Sequence, residues 1–285
     1  MKLFVLISLF ALLILLFLTA SATAQTAGPS PSPSPSATSS EDEPDFIVPS
    51  RPTVSNPAEF QRPGVLQLEF GFNANFRAAG NESEEDFPLA LRFAASRRLL
   101  IEVDLDNPLS QKVSGMRDTG AGDTQLGIQA VLQHEKETRP GIAIAYYVKL
   151  PSASVAKGLG TGRIDHNFIG FISKKTGRTT VDFNAIYLLA GRTTNNGHAS
   201  SGQAALAASH DLTKRWGIQG EISGFSRNDS QPGALFALGA GTYQVNRRLV
   251  LDGGMRFGLT PDAPRVGAFV GMTVGVADFY RHHHR

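Results

Sequence analysis

RPGVLQLEFGFNANFRA, Arg62 to Ala78, places Leu66, Leu68, Phe70, Phe72, Ala74 and Phe76 on one set of positions and Gln67, Glu69, Gly71, Asn73 and Asn75 on the other. Successive side chains of an extended chain point to opposite faces, so this stretch is a strand with one apolar face. A protein core and a lipid bilayer both accept such a face. Strand length, the sorting of the connections and the nature of the opposite face decide between them.

The same texture continues to the end of the chain. Alternating segments fall at about 64–77, 87–95, 99–106, 123–134, 140–150, 163–173, 178–190, 201–211, 216–226, 233–245, 249–259 and 265–279, which makes twelve, and no amphipathic helix interrupts them. Most exceed the five or six residues usual in soluble strands and approach the nine to eleven or so needed to cross a bilayer at a tilt. The connections after the even-numbered segments are short and basic: SRR (96–98), EKETR (135–139), KKTG (174–177), LTKR (212–215) and NRR (246–248). Those after the first, third and fifth are longer and polar: AAGNESEED (78–86), NPLSQKVSGMRDTGAG (107–122) and PSASVAKGLGTG (151–162). Outer-membrane barrels alternate short periplasmic turns with longer external loops in this way, whereas a soluble sandwich has no reason to. The expected fold is all-β: a transmembrane antiparallel up-and-down barrel of about 12 strands, with both termini periplasmic.

The faces assign themselves accordingly. The third segment sets Leu99, Ile101, Val103 and Leu105 against Glu102, Asp104 and Asp106, and the eleventh sets Leu249, Leu251, Met255 and Phe257 against Asp252 and Arg256. In a membrane barrel the apolar set meets lipid and the polar set lines the lumen, where glycines such as Gly71, Gly127, Gly217, Gly254 and Gly258 suit a crowded interior. The inward candidates are Glu69, Arg92, Glu102, Asp104, Gln129, Lys149, Arg163, Asp165, Asp182, Glu221, Asp252 and Arg256. Charges of this kind set ion preference and bind solute groups in a pore, or pair across a narrow barrel and fill it; both roles stay open.

Flanking the barrel are segments of different character. Lys2, the apolar run Leu3–Leu18 and Ala22-Thr23-Ala24 read as a secretory signal peptide over residues 1–24. Residues 25–62 open with a Pro-Ser alternation that cannot build a core, and this segment is expected to be a disordered periplasmic spacer; whether its later part, 46–62, plugs the lumen stays open. The barrel proper is expected over 63–280, followed by a His-rich tail, 281–285. The chain has no cysteine, which removes disulfides and thiolate sites, and 27 Lys+Arg against 25 Asp+Glu, with no basic run interleaved with aromatics, exclude a nucleic-acid surface.

Gly271, Val274 and Val276 in the last segment resemble the C-terminal signal by which the barrel assembly machinery recognises its substrates, although Asp278 interrupts the apolar face and RHHHR follows instead of a terminal aromatic. GAGDTQLGIQAVLQHEKETRPGIAIAYYVKLPSASVAKGLGTGRIDHNF (120–168) carries Gly120-x-Gly122-Asp123 opening one strand, Lys149-Leu150-Pro151 closing the next, and a Gly-rich loop. Together with RPTVSNPAEFQRPGVLQLEFGF (51–72) it resembles the outer-membrane transporters associated with the meta-pathway of phenol degradation. That resemblance implies a channel passing small molecules, with outer-membrane lipid around it and no cofactor.

Enzymatic alternatives rest on two short stretches. His198-Ala199-Ser200 resembles the His-x-Ser core of an outer-membrane phospholipase family, but no Asn stands about a dozen residues on to orient the histidine. Gly158-Leu159-Gly160-Thr161-Gly162 lacks the Lys-Ser/Thr ending of a phosphate loop. The expectation is therefore a channel and not an enzyme, with a phospholipase-like enzyme or a closed structural or adhesive barrel as alternatives.

Overall fold

The computed structural model describes residues 45–76, 83–228 and 232–280. The expected signal peptide, the Pro-Ser tract and the His-rich tail lie outside the described residues. The strands are β1 (Val65–Phe76), β2 (Ser83–Ala94), β3 (Leu99–Val113), β4 (Met116–Gly120), β5 (Thr124–Gln133), β6 (Gly141–Leu150), β7 (Asp165–Thr176), β8 (Thr179–Gly191), β9 (His198–Asp211), β10 (Trp216–Phe225), β11 (Ala234–Asn246), β12 (Leu249–Gly258) and β13 (Val266–Asp278). Each wall strand pairs antiparallel with its neighbours, and β1 pairs with β13 from Val65↔Asp278 to Phe76↔Val266, closing the ring. Closure leaves no unpaired edge to face hydrocarbon.

Twelve of these strands form the wall. β4 pairs only with the outer part of β3, Leu109↔Gly120 to Val113↔Met116, while the inner part of β3 pairs with β5. The stretch 107–122, expected to be a loop, is thus largely a hairpin arm. Its turn is Ser114-Gly115, both at positive φ (50° and 81°), the backbone that a two-residue hairpin requires. The turns between β2 and β3, β5 and β6, β7 and β8, β9 and β10, and β11 and β12 all lie at the end where β1 begins; this is the turn end. The arm and the 151–164 and 192–197 connections lie at the opposite, loop end.

Burial is inverted relative to a soluble protein. Ile101, Leu126, Ile128, Ile144, Phe168, Ile172, Leu251, Met255, Phe257 and Val270 are exposed, while Gln67, Glu69, Arg92, Glu102, Gln129, Asp182, Asn184 and Glu221 are buried. An exposed apolar belt around a polar interior is stable only if the belt meets lipid. Among the described residues no helix is long and apolar enough to cross a membrane, so any crossing is made by the strands.

Three register shifts break the alternation near the turn end. They skip Leu132 in β5, Val245 in β11 and Val276 in β13, and all three side chains point outward and are exposed. A bulge reverses the facing of every residue beyond it. Asp278, expected to interrupt the lipid face, is thereby turned inward and forms an ion pair with Arg62.

The remaining expectation to change concerns residues 45–62. Instead of a disordered continuation of the spacer, they form an extended segment running inside the turn-end half of the barrel. Its apolar side chains supply the interior clusters: Phe46 and Ile47 with Val65; Ala58 with Ala143, Ala145, Tyr147 and Phe171; Phe60 with Ala94, Leu100 and Val131. The Phe46 ring is also faced by the guanidinium groups of Arg62 and Arg248, 5.0 and 4.5 Å from its centroid.

Candidate functional site: the barrel lumen and its inner segment

The segment enters beside β1, where the Asp45 carbonyl accepts from the Arg62 amide at 2.9 Å. Gln67 grips Val48 through two hydrogen bonds, amide N–H to Oε1 at 2.9 Å and Nε2 to the carbonyl at 2.8 Å. Glu69, one turn of the alternation deeper, accepts from the Ser50 amide and hydroxyl and from the Arg51 amide at 2.9, 2.8 and 3.1 Å. The Arg51 guanidinium reaches mid-barrel and faces Asp252 at 3.4 Å. It lies over Gly71 and Gly271, where a Cβ would come within 2.5 Å of its side-chain nitrogens. The glycines on the two paired strands therefore make the space this side chain occupies.

The segment then crosses to the opposite wall and returns. The Ser55 amide donates to Glu221 at 2.7 Å and its hydroxyl to the Asp182 carbonyl at 2.8 Å. Asn56 and Asn184 exchange two bonds, at 2.7 and 2.9 Å. The Ala58 amide donates to Ser173 Oγ at 2.7 Å, and its carbonyl accepts from Gln129 at 3.0 Å. Gln61 closes the path by donating to the Arg92 carbonyl at 2.9 Å. An extended segment with no strand partner must satisfy its amides somewhere, and here inward side chains of the wall do so.

At the base of this arrangement is a buried ion network. Arg92, 1% exposed, contacts Glu69 at 3.1 Å and Glu102 at 3.2 Å and donates to the Val48 carbonyl at 2.9 Å. Tyr147 donates to Glu102 at 2.9 Å, and its ring occupies the position a side chain at Gly127 would need. The loop-end half is more open. Lys149 bridges Asp123 and Asp165 at 3.0 and 2.8 Å and donates to Thr161 at 3.1 Å, tying the 151–162 connection to the rim. Between the segment and that rim is a cavity of about 230 Å³ lined by Arg51, Glu102, Asp104 and Gln125.

The structure thus sorts the twelve candidates. Glu69, Arg92, Gln129, Glu221 and Asp252 hold the inner segment by their side chains, and Asp182 does so through its backbone. Glu102 is fixed by Arg92 and Tyr147, and Asp104 borders the cavity. Lys149 and Asp165 pair at the loop-end rim, and Arg256 lies over the Phe236 ring, 6.0 Å from its centroid. Arg163 departs from expectation: it precedes β7 in the loop and lines a pocket on the outer side of the barrel, because β7 starts only at Asp165. Sequence reasoning missed the partners on the segment itself, above all Ser50, Arg51, Ser55 and Asn56.

The phospholipase-like constellation does not assemble. His198 and Ser200 share the outward face of β9, but no hydrogen bond joins them, and the His198 ring lies against that of His166, centroids 5.7 Å apart.

A closed wall of twelve antiparallel strands, apolar outside and polar within, defines a transmembrane β-barrel. The chain belongs to the family described as "Putative MetA-pathway of phenol degradation", whose profile matches residues 50–275. Its fold is similar to that of the COG4313 outer membrane channel from Pseudomonas putida F1, at 12% identity over 76% of this chain and 97% of that one, with a TM-score of 0.61. It is also similar to the NanC porin, at 6% identity over 73% and 98% of the two chains, with a TM-score of 0.53. No curated protein matches the sequence.

Proposed function

We propose that this chain is an outer-membrane channel for small solutes, oriented with its turn end in the periplasm and narrowed there by residues 45–62. The observation that carries the reading is the polar lumen itself. Buried carboxylates, amides and cations line a closed wall whose outside is apolar, and the loop-end half retains a cavity of about 230 Å³ above the segment. Polar groups at membrane depth are costly unless they face one another or a water-filled path. Membership of the family and the channel folds it resembles support the same reading, as does the sorting of short basic turns to one end.

A second reading, a barrel closed by its own segment, is favoured by the number of hydrogen bonds that residues 48–61 make with the wall. Planar-bilayer recording of the refolded full-length protein separates the two. Discrete conductance steps are expected for a channel; a folded barrel that never conducts would overturn the proposal and leave the closed barrel.

A further inference from the structure

At the loop end, outside the lumen, the connections 151–164 and 192–197 frame a pocket of about 440 Å³. Arg163, Arg192, His166, His198, Asn195 and Asn196 line it, and among the described residues no carboxylate does. His166 and His198 take the outward positions of β7 and β9, in line with the exposed Phe168 one step further toward the turn end. Tyr146, outward on β6, bonds His166 Nδ1 at 2.8 Å and packs on Phe168 with ring centroids 5.2 Å apart. The pocket therefore sits where the lipid-facing aromatic belt gives way to polar loops, the level at which a membrane presents its phosphates.

Its cations are placed by the backbone. A Cβ on Gly191, the last residue of β8, would lie 2.7 Å from both the Arg163 Cβ and the Ile164 carbonyl, so the bare strand end lets the Arg163 stem cross over it. Asp165, beside that crossing, accepts from the Gly191 amide at 2.8 Å and is held by Lys149 on the lumen side. Two guanidinium groups lining one pocket at an apolar boundary attract anions, and their planar shape matches phosphate oxygens in charge and geometry. The neighbouring Asn195 and Asn196 amides suit hydroxyl-bearing groups.

We propose that this pocket binds the phosphorylated sugar headgroup of a membrane lipid, with Arg163 and Arg192 on phosphate and Asn195 and Asn196 on sugar hydroxyls. The site uses the outer surface of the barrel and is independent of whether the lumen conducts. The test is lipid retention by the purified full-length barrel, read by native mass spectrometry after adding one lipid at a time: bisphosphorylated lipid A, its dephosphorylated form, or phosphatidylglycerol. Wild type should retain one lipid A in preference to the other two. Arg163→Ala/Arg192→Ala should reduce retention by about tenfold or more, and Arg163→Lys/Arg192→Lys should restore part of it. Heat-modifiable gel mobility confirms folding of each variant. Equal retention by wild type and the double alanine variant, or equal retention of the dephosphorylated lipid or of phosphatidylglycerol by wild type, would overturn the assignment. Conductance, measured separately, should be the same in wild type and the double alanine variant.

Discussion

Arg92 shows what single residues do here. Its guanidinium compensates two carboxylates, Glu69 and Glu102, in a site closed to solvent, and it also holds the carbonyl of Val48. Removing one partner of a buried pair leaves uncompensated charge and costs about 3–5 kcal/mol. Arg92→Met should therefore lower the urea midpoint of the refolded barrel markedly, whereas Arg97→Met, at an exposed turn, should leave it nearly unchanged. Asp104 shares the inward facing of its neighbour Glu102, and both border the cavity, where Glu102 is also held by Arg92 and Tyr147. Asp104→Lys should shift the reversal potential under a salt gradient toward anion preference, because charge beside a narrow, poorly screened path sets its ion preference. An unchanged reversal potential in a conducting variant would remove Asp104 from the path.

At the scale of elements, the strands are readable from residue type and the inner segment is not. Leu66 to Phe76 declare their facing by alternation alone, and the basic turns declare which end they occupy. Asp278 defeats such a reading because a bulge depends on pairing geometry: skipping Val276 reverses the facing of the residues beyond it, and nothing in Val-Ala-Asp marks the skip. RPTVSNPAEFQ has no periodicity because its amides bond to side chains of many different strands. One signal is nonetheless present. The inward candidates include seven carboxylates, Glu69, Glu102, Asp104, Asp165, Asp182, Glu221 and Asp252, against four cations, Arg92, Lys149, Arg163 and Arg256. Such a lumen needs donors from elsewhere, and the amides of Ser50, Arg51 and Ser55 together with the Arg51 guanidinium supply them. The segment can be tested as an element because the chain lacks cysteine. Ala58→Cys/Gly141→Cys, where a Cβ on Gly141 would lie 3.5 Å from that of Ala58, should form a disulfide on oxidation. Conductance noise attributable to the segment should fall when it is oxidised and return on reduction; identical traces would show that the segment does not move on the recorded timescale.

The whole molecule has two solvents on the two faces of one wall. Ile144, 50% exposed, projects from the middle of β6 into the apolar belt, while Asn167, on β7 opposite Tyr147, faces the more open half of the lumen. A charge at a lipid-facing midplane position costs about 2–4 kcal/mol. Ile144→Arg should therefore impair refolding into vesicles far more than Asn167→Arg, as read by the fraction showing heat-modifiable mobility; equal losses would contradict the facing assigned here.

A polar path narrowed by the chain's own N-terminal segment has a direct test, because the ends of that segment meet. Asp45 and Arg62 are joined by a backbone hydrogen bond of 2.9 Å, so residues 46–61 can be excised and 45 linked to 62 with little displacement of the wall. Single-channel conductance of this deletion variant and of wild type would be compared in planar bilayers, with folding of both confirmed by gel mobility. A conductance several times larger is predicted for the deletion variant at the same salt concentration. Equal conductances, or a folded deletion variant that does not conduct, would contradict a path narrowed in this way.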